Sequence, residues 1–314
     1  SAPDAQWLIY SDFSGGFQTK KDATKIPDNA FANGQNTIVN DGDRISIRDF
    51  GYNIFPASST ASSTANQRIS SLYTYKRRNG ENILVRSYHT SLEYFEEGND
   101  TWEMLTTSTS AGLEYGFAEY NSNSDLFSFL YFGNGTNPLS RWSGAHTLTN
   151  GAVASGATSI TVDSTTGFAA SGTVILCDTP TTYSALTATV LTVASAPACG
   201  DNRGVTQYPT VFTATAVPRG NLLLTANNRL FISGIASTSE AVYFSGYGNP
   251  TDFVGAANVL DSTDASPGIF NLTEGGAVTG LSLDENSIYI LKRHAIYRAQ
   301  FTDTTYVLTP LKPF

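Results

Sequence analysis

The stretch 71-SLYTYKRRNGENILVRSYHTSLEYFEEGNDTWEML-105 decides the fold class. Residues 72–77 have the apolar and aromatic content of a short strand, and Arg78-Asn79-Gly80-Glu81 carries the Asn-Gly signal of a tight hairpin. Residues 83–88 form the return strand. His89-Thr90 turns the chain into a third strand over 92–95, and Glu96-Glu97-Gly98-Asn99-Asp100 turns it again into a fourth over 101–105. Four short antiparallel strands in a meander outline one blade of a β-propeller.

The composition agrees with strands and turns. Among 314 residues only 14% are charged, whereas 12% are aromatic, with 16 Tyr and 18 Phe. Thr, Ser, Gly and Asn supply the rest of the pattern, and the Glu, Lys, Arg and Ala of long surface helices are scarce. The fold class read from this is all-β. A net charge of −9 argues against a general nucleic-acid binder, which would carry a basic face. No run approaches the roughly 18 apolar residues of a membrane-spanning helix. The opening SAPDAQWLIY has neither the basic region nor the apolar core of a signal peptide. It also lacks an initiator Met, so at least one residue is expected to have been removed, and the close TTYVLTPLKPF leaves room for a longer parent chain.

Weaker copies of the meander follow. Residues 117–120, 126–132 and 139–142 give a second unit, divided by the turns NSNSD and GNGTNP. Residues 222–224, 230–233 and 242–245 give a third. In the fourth, 281–283, 288–291 and 296–301 repeat the plan, and Ala295, Tyr297, Ala299 and Phe301 alternate with Ile296, Arg298 and Gln300 at the period of a strand. Repeats of this size in an all-β chain predict a propeller-like array of antiparallel four-stranded blades. Three or four units are legible, at the lower end of the roughly four to eight blades that propellers have. Between 148 and 200 the aromatics nearly vanish, and Thr, Ala, Ser and Val predict short strands at 159–162, 173–177, 182–185 and 189–193 of a small inserted β domain. The expected organisation is therefore an N-terminal arm with strands (1–56), a first set of blades (57–147, opening on the connector ASSTASSTANQ), the insert (148–200) and a second set of blades (201–314).

Residues able to do chemistry are few. Cys177 and Cys199 could form a disulfide or remain two small buried thiols; their spacing fits no zinc motif. His89, His146 and His294 each sit beside a predicted turn, where a solvated imidazole is expected. No H-E-x-x-H, G-x-S-x-G or phosphate-binding loop occurs, and Gly133-Asn134-Gly135 is read as a turn. Glu93, Glu96, Glu97, Asp100 and Glu103 are the carboxylates a glycosidase would draw on, which needs two of them about 5–10 Å apart; solvated hairpin ends, which need no site at all, are the expected reading. Asp41-Gly42-Asp43 is read as a turn and not as a calcium ladder. Trp102 and Trp142 could stack on a sugar ring, but blade-core positions are expected. No catalytic residue, cofactor or metal site is predicted.

Phe13-Ser14-Gly15-Gly16-Phe17, Ile26-Pro27-Asp28-Asn29, the Asp41-Gly42 turn and Arg48 through Gly51-Tyr52 together resemble the opening of a group of bacteriophage tail proteins. These are similar to propeller-bearing tail-tube nozzle and head-to-tail stabilisation proteins. Arg229-Leu230-Phe231-Ile232 with Tyr243-Phe244-Ser245, Asn249-Pro250-Thr251-Asp252-Phe253, and Ile290-Leu291-Lys292-Arg293 with Ile296-Tyr297-Arg298 extend the likeness. The segment SGATSITVDSTTGF, 155–168, resembles small β modules of phage virion proteins. The resemblance implies a non-enzymatic virion structural protein, assembled in the host cytoplasm. It would form a homo-oligomeric, hexameric ring in the phage tail, contacting other tail proteins around a channel that DNA only transits. Trp7, Phe13 and Phe17 would then belong to an arm that docks on a neighbouring subunit or staples back onto its own propeller. The alternative is a receptor- or glycan-binding propeller at the tail tip.

Overall fold

Four antiparallel meanders repeat along the chain, each starting on the strand that packs against the next meander's first strand. The computed structural model describes residues 69–108, 110–121, 128–258, 266–302 and 305–313, and the strand segments 16–17, 30–31, 37–40 and 44–47. The chain divides into two units, Ser1–Pro56 and Ala57–Phe314. In the first, β1 (Gly16–Phe17) pairs in parallel with β2 (Ala30–Phe31), and β3 (Thr37–Asn40) forms a hairpin with β4 (Arg44–Ile47). Strands make up 55% of the structure, and helix is nearly absent, which places the protein in the all-β class.

In the second unit the first blade is β5 (Ile69–Lys76), β6 (Asn82–Tyr88), β7 (Ser91–Glu96) and β8 (Thr101–Thr107), paired in that order. Its turns follow from local chemistry. Gly80 takes φ +91°, open to glycine at no steric cost. The Asn99 side-chain oxygen accepts hydrogen bonds from the amide and hydroxyl of Thr101 at 3.1 and 2.6 Å, a turn that Asn encodes by itself.

The second blade is β9 (Gly116–Asn121), β10 (Ser128–Gly133) and β11 (Ser140–Trp142). The chain then leaves it to build a six-stranded sheet: β12 (His146–Leu148), β13 (Ser159–Thr161), β14 (Gly172–Leu176), β15 (Thr179–Leu186), β16 (Val190–Val193) and β17 (Gly204–Gln207), in the order β12-β17-β14-β15-β16-β13. This sheet curls until its edges meet at a bridge between Thr149 and Val162, around a core that includes Val174, Leu176, Leu191 and Val205. Cys177 and Cys199 are joined by a disulfide with their Cα atoms 5.7 Å apart. On its return the chain supplies β18 (Thr210–Val211), which pairs with β11 and gives the second blade its fourth strand.

The third blade contains β19 (Leu222–Ala226), β20 (Arg229–Ser233), β21 (Ala241–Phe244), β22 (Ala257–Asn258) and β23 (Gly268–Asn271), ordered β19-β20-β21-β23-β22. Asn227 and Asn228, at φ 48° and 56°, make its first hairpin turn. The fourth blade is β24 (Val278–Asp284), β25 (Ser287–Lys292), β26 (Ala295–Thr302) and β27 (Thr305–Pro313).

Strands β5, β9, β19 and β24 neighbour one another in series, and among the described residues no comparable packing joins β24 back to β5. Three cores join the four blades. Tyr75, Val85, Tyr94, Leu130 and Trp142 fill the first; Tyr120, Tyr131, Leu230, Ile232 and Phe253 the second; Phe231, Phe244, Phe270, Ile288 and Tyr306 the third. The Asn249–Phe253 turn thus delivers Phe253, 2% exposed, between blades two and three. The result is a propeller-like array, with large aromatic side chains as the mortar between sheets.

Candidate functional site at the junction of two blades and the curled sheet

A cluster of titratable side chains lies where blades one and two meet the curled sheet. Glu81 comes from the β5–β6 turn, Tyr94 and Glu96 from β7, Glu103 from β8, and His146 opens β12. Trp142 stands at the centre, its ring 5.3 Å from that of Tyr94 and 6.5 Å from that of His146.

The hydrogen bonds fix where a proton must be. His146 Nδ1 lies 2.9 Å from the carbonyl oxygen of Gly144, which can only accept, so Nδ1 carries hydrogen. Nε2 faces Glu81 Oε1 at 3.2 Å and Glu96 Oε2 at 3.6 Å. Only the Glu81 contact is within hydrogen-bond range; Glu96 Oε2 is buried and has no hydrogen-bond partner among the described residues. Burial raises the pKa of Glu96 against the opposing pull of His146 and the Gly98 amide. Burial also acts to raise Glu81, but His146, Asn79 and Arg77 outweigh it and hold Glu81 low. Tyr94 is fully buried, and that burial, with Glu96 and Glu103 nearby, pushes its hydroxyl well above the usual range.

Glu103 ties the blade to the curled sheet. Its Oε1 accepts from Asn99 Nδ2 at 3.0 Å, from Thr101 Oγ1 at 3.0 Å and from the Gly204 amide at 3.1 Å, with Arg203 Nε 3.5 Å away. The last two partners lie at the start of β17. A Cβ on Gly204 would meet Glu103 Cγ at 2.5 Å and the Tyr94 hydroxyl at 2.9 Å, so only glycine admits this approach. Asp178, in the β14–β15 turn, is raised by burial and by Glu103, against Arg203.

The expectation of solvated hairpin ends is corrected for three of the five carboxylates. Glu96 and Glu103 are buried in this junction, and Glu93 is buried against Arg86 on β6, because elements distant in sequence cover them. Glu97 and Asp100 are exposed. His146 is likewise no solvated imidazole, with a side chain only 14% exposed, whereas His89 and His294 are exposed. Trp102 and Trp142 are both buried, on a fourth and a third strand respectively, so they do not occupy equivalent blade positions. Trp7, Phe13 and Asp41-Gly42-Asp43 lie outside the described residues, and Phe17 is described only as backbone of β1.

The junction responds to pH with a definite sign. Glu96 binds its proton more tightly folded than unfolded. Its contribution to stability is full below its ordinary value of 4.5 and is lost as pH rises through the higher folded value. Glu81 behaves oppositely, its contribution being lost as pH falls through its lowered value. Glu96→Gln removes the first effect only. The stability of the variant relative to wild type should therefore climb as pH rises from about 4.5 to 7, each unit of raised pKa being worth about 1.4 kcal/mol. Urea unfolding of both proteins across this range measures it; a difference that stays constant with pH would refute the assignment.

Compared with protein-family models and with curated proteins, the chain matches none.

Proposed function

We propose that the protein is a non-enzymatic structural component of a phage tail that assembles as a ring of copies around a DNA channel, in a nozzle or a head-to-tail connection. The observation that carries this reading is the outward face of the fourth blade. On β25, β26 and β27 the side chains alternate: Ile288, Ile290, Tyr297 and Ala299 are buried against blade three, while Leu291 and Val307 on the opposite face are 38% and 50% exposed. Tyr289, Ile296 and Leu311 add apolar surface beside them, with Arg298 and Gln300 between. The other cores of the array show what such a face packs against, namely the sheet of a neighbouring blade. A sheet from a second copy supplies the same surface and continues the array across a subunit boundary. The tail-protein motifs at 13–17, 26–29 and 249–253 support the same reading, as does the net charge of −9, which suits a channel past which phosphate slides. Six copies, contacts to other tail proteins and a place in the virion follow from that likeness.

Sedimentation and negative-stain microscopy of the purified protein test the proposal. Rings with an axial hole are expected, and Leu291→Lys with Val307→Lys should yield monomers whose melting temperature is within about 2 °C of wild type, because exposed substitutions cost little. A wild-type protein that stays monomeric at high concentration would sink the ring. Rings that persist in the double variant would sink this face as their interface.

A further inference from the structure

We infer that the groove between the second blade and the curled sheet is a binding site for an acidic saccharide, centred on Arg141. Two adjoining clefts of about 320 and 310 Å³ share Ser143 and Gly167 and so run together. The protein has 27 acidic residues against 18 basic, yet no Asp or Glu is among the described residues lining either cleft. One end is polar, with Arg77, Arg78, His146 and the hydroxyls of Ser128, Ser164 and Thr166. The other is aromatic, with Phe129, Phe168 and Tyr208 around Arg141.

The cations are not equivalent. Arg77 is balanced by Glu81 at 2.5 Å, and His146 by Glu81 and Glu96. Arg141 has no such partner among the described residues. Its guanidinium lies 4.5 Å from the centre of the Phe129 ring and 5.6 Å from that of Phe212, which fix its plane. Nη1 donates to the Tyr131 hydroxyl at a long 3.5 Å, Nε is buried with no hydrogen-bond partner, and no carboxylate pairs with it among the described residues. An oriented, unpaired guanidinium recognises a planar oxyanion, because its fork matches a carboxylate. Phe168 and Tyr208 in the same cleft give apolar surface on which a sugar ring can pack, and the hydroxyl-lined end suits a hydroxylated chain extending from that ring. A uronic-acid oligosaccharide combines these features. Single-stranded nucleic acid also joins anions to rings, but it needs a basic track over several phosphates, which one unbalanced arginine in an acidic protein does not give.

The site is independent of ring assembly and is tested on the purified full chain by calorimetry with tetragalacturonate, neutral maltotetraose and an oligothymidylate. Saturable binding of tetragalacturonate is expected, with maltotetraose about 10- to 100-fold weaker, the range for losing a charge-assisted hydrogen-bond pair. Arg141→Gln should weaken tetragalacturonate to the level of the neutral sugar. Tyr208→Ala should weaken both sugars and serves as the second variant if Arg141→Gln does not fold, as judged by thermal melting. No saturation by tetragalacturonate, equal binding of the two sugars, indifference of a folded Arg141→Gln or Tyr208→Ala variant, or tighter binding of oligothymidylate would each overturn the proposal.

Discussion

Glu93→Leu is expected to cost about 3–5 kcal/mol of folding stability, because it leaves a guanidinium buried without its carboxylate. Arg86 on β6 and Glu93 on β7 stand opposite one another in the strand register. Arg86 Nε and Nη2 both reach Glu93 Oε2, at 2.8 and 2.7 Å, and the two side chains are only 8% and 1% exposed. The guanidinium also lies 4.0 Å from the centre of the Trp102 ring and 4.9 Å from that of Tyr88, so it is held in place and largely shielded from water. The pair itself is not a large net source of stability, since removing two charges from water costs most of what their attraction returns. The asymmetry is the test. Glu93→Leu should lower the melting temperature by roughly 6–20 °C, taking about 2–4 °C per kcal/mol for a unit of this size. Adding Arg86→Met should restore most of the loss, because the buried charge is then gone as well. Thermal melting with Trp fluorescence reads both, and a single variant that loses less than about 1 kcal/mol would show that Arg86 finds water or another acceptor.

Which features could be read from the sequence follows from how local their causes are. The hairpins of the first blade depend on residues within two or three positions, such as Asn79-Gly80 and Asn99, and there the expected strands and the observed ones nearly coincide. In the fourth blade the first three strands do, while its last, Thr305–Pro313, was not expected. The second blade looked incomplete because its fourth strand, Thr210–Val211, is two residues long and follows the whole curled sheet. No periodicity can reveal a strand that short. The insert's own strands were legible at 159–161 and 190–193, but β12 and β17, which complete one side of its sheet, are short segments that read as blade or loop. The polar junction failed for the same reason. Glu96 and Glu103 flank a Gly-Asn-Asp turn and by local chemistry belong in water; what buries them is His146 and the Gly204 amide, the latter 101 residues from its partner. Arg141 gave no signal, since the lack of an acidic partner among the described residues is a fact of three dimensions only.

Trp142→Ala should cost about 3–5 kcal/mol, the usual range for emptying a buried aromatic position. It should also do more than loosen one blade, because three elements meet on this ring. Trp142 is 1% exposed on β11 and packs at 5.9 Å from Tyr75 and 5.3 Å from Tyr94, both in blade one. Its Nε1 donates to Thr206 Oγ1 on β17 at 3.0 Å, and that hydroxyl donates in turn to the Ala145 carbonyl. Truncation therefore opens a cavity between blades and removes a tie to the curled sheet in one step. Trp142→Phe separates the two effects: it keeps most of the ring, loses the indole N–H, and should cost about 1–2 kcal/mol, the net value of one buried hydrogen bond plus a small volume change. Hydrogen exchange supplies the spatial readout. In Trp142→Phe the amides of β12 and β17 should exchange faster while those of β6 stay protected, and in Trp142→Ala all three should quicken. If β12 and β17 keep their protection in Trp142→Ala, the curled sheet is held by Glu103 and its own core rather than by this ring. The blade and the insert would then keep their stability without this ring, joined at a seam held by Glu103 with Gly204 and by His146 with its two acids.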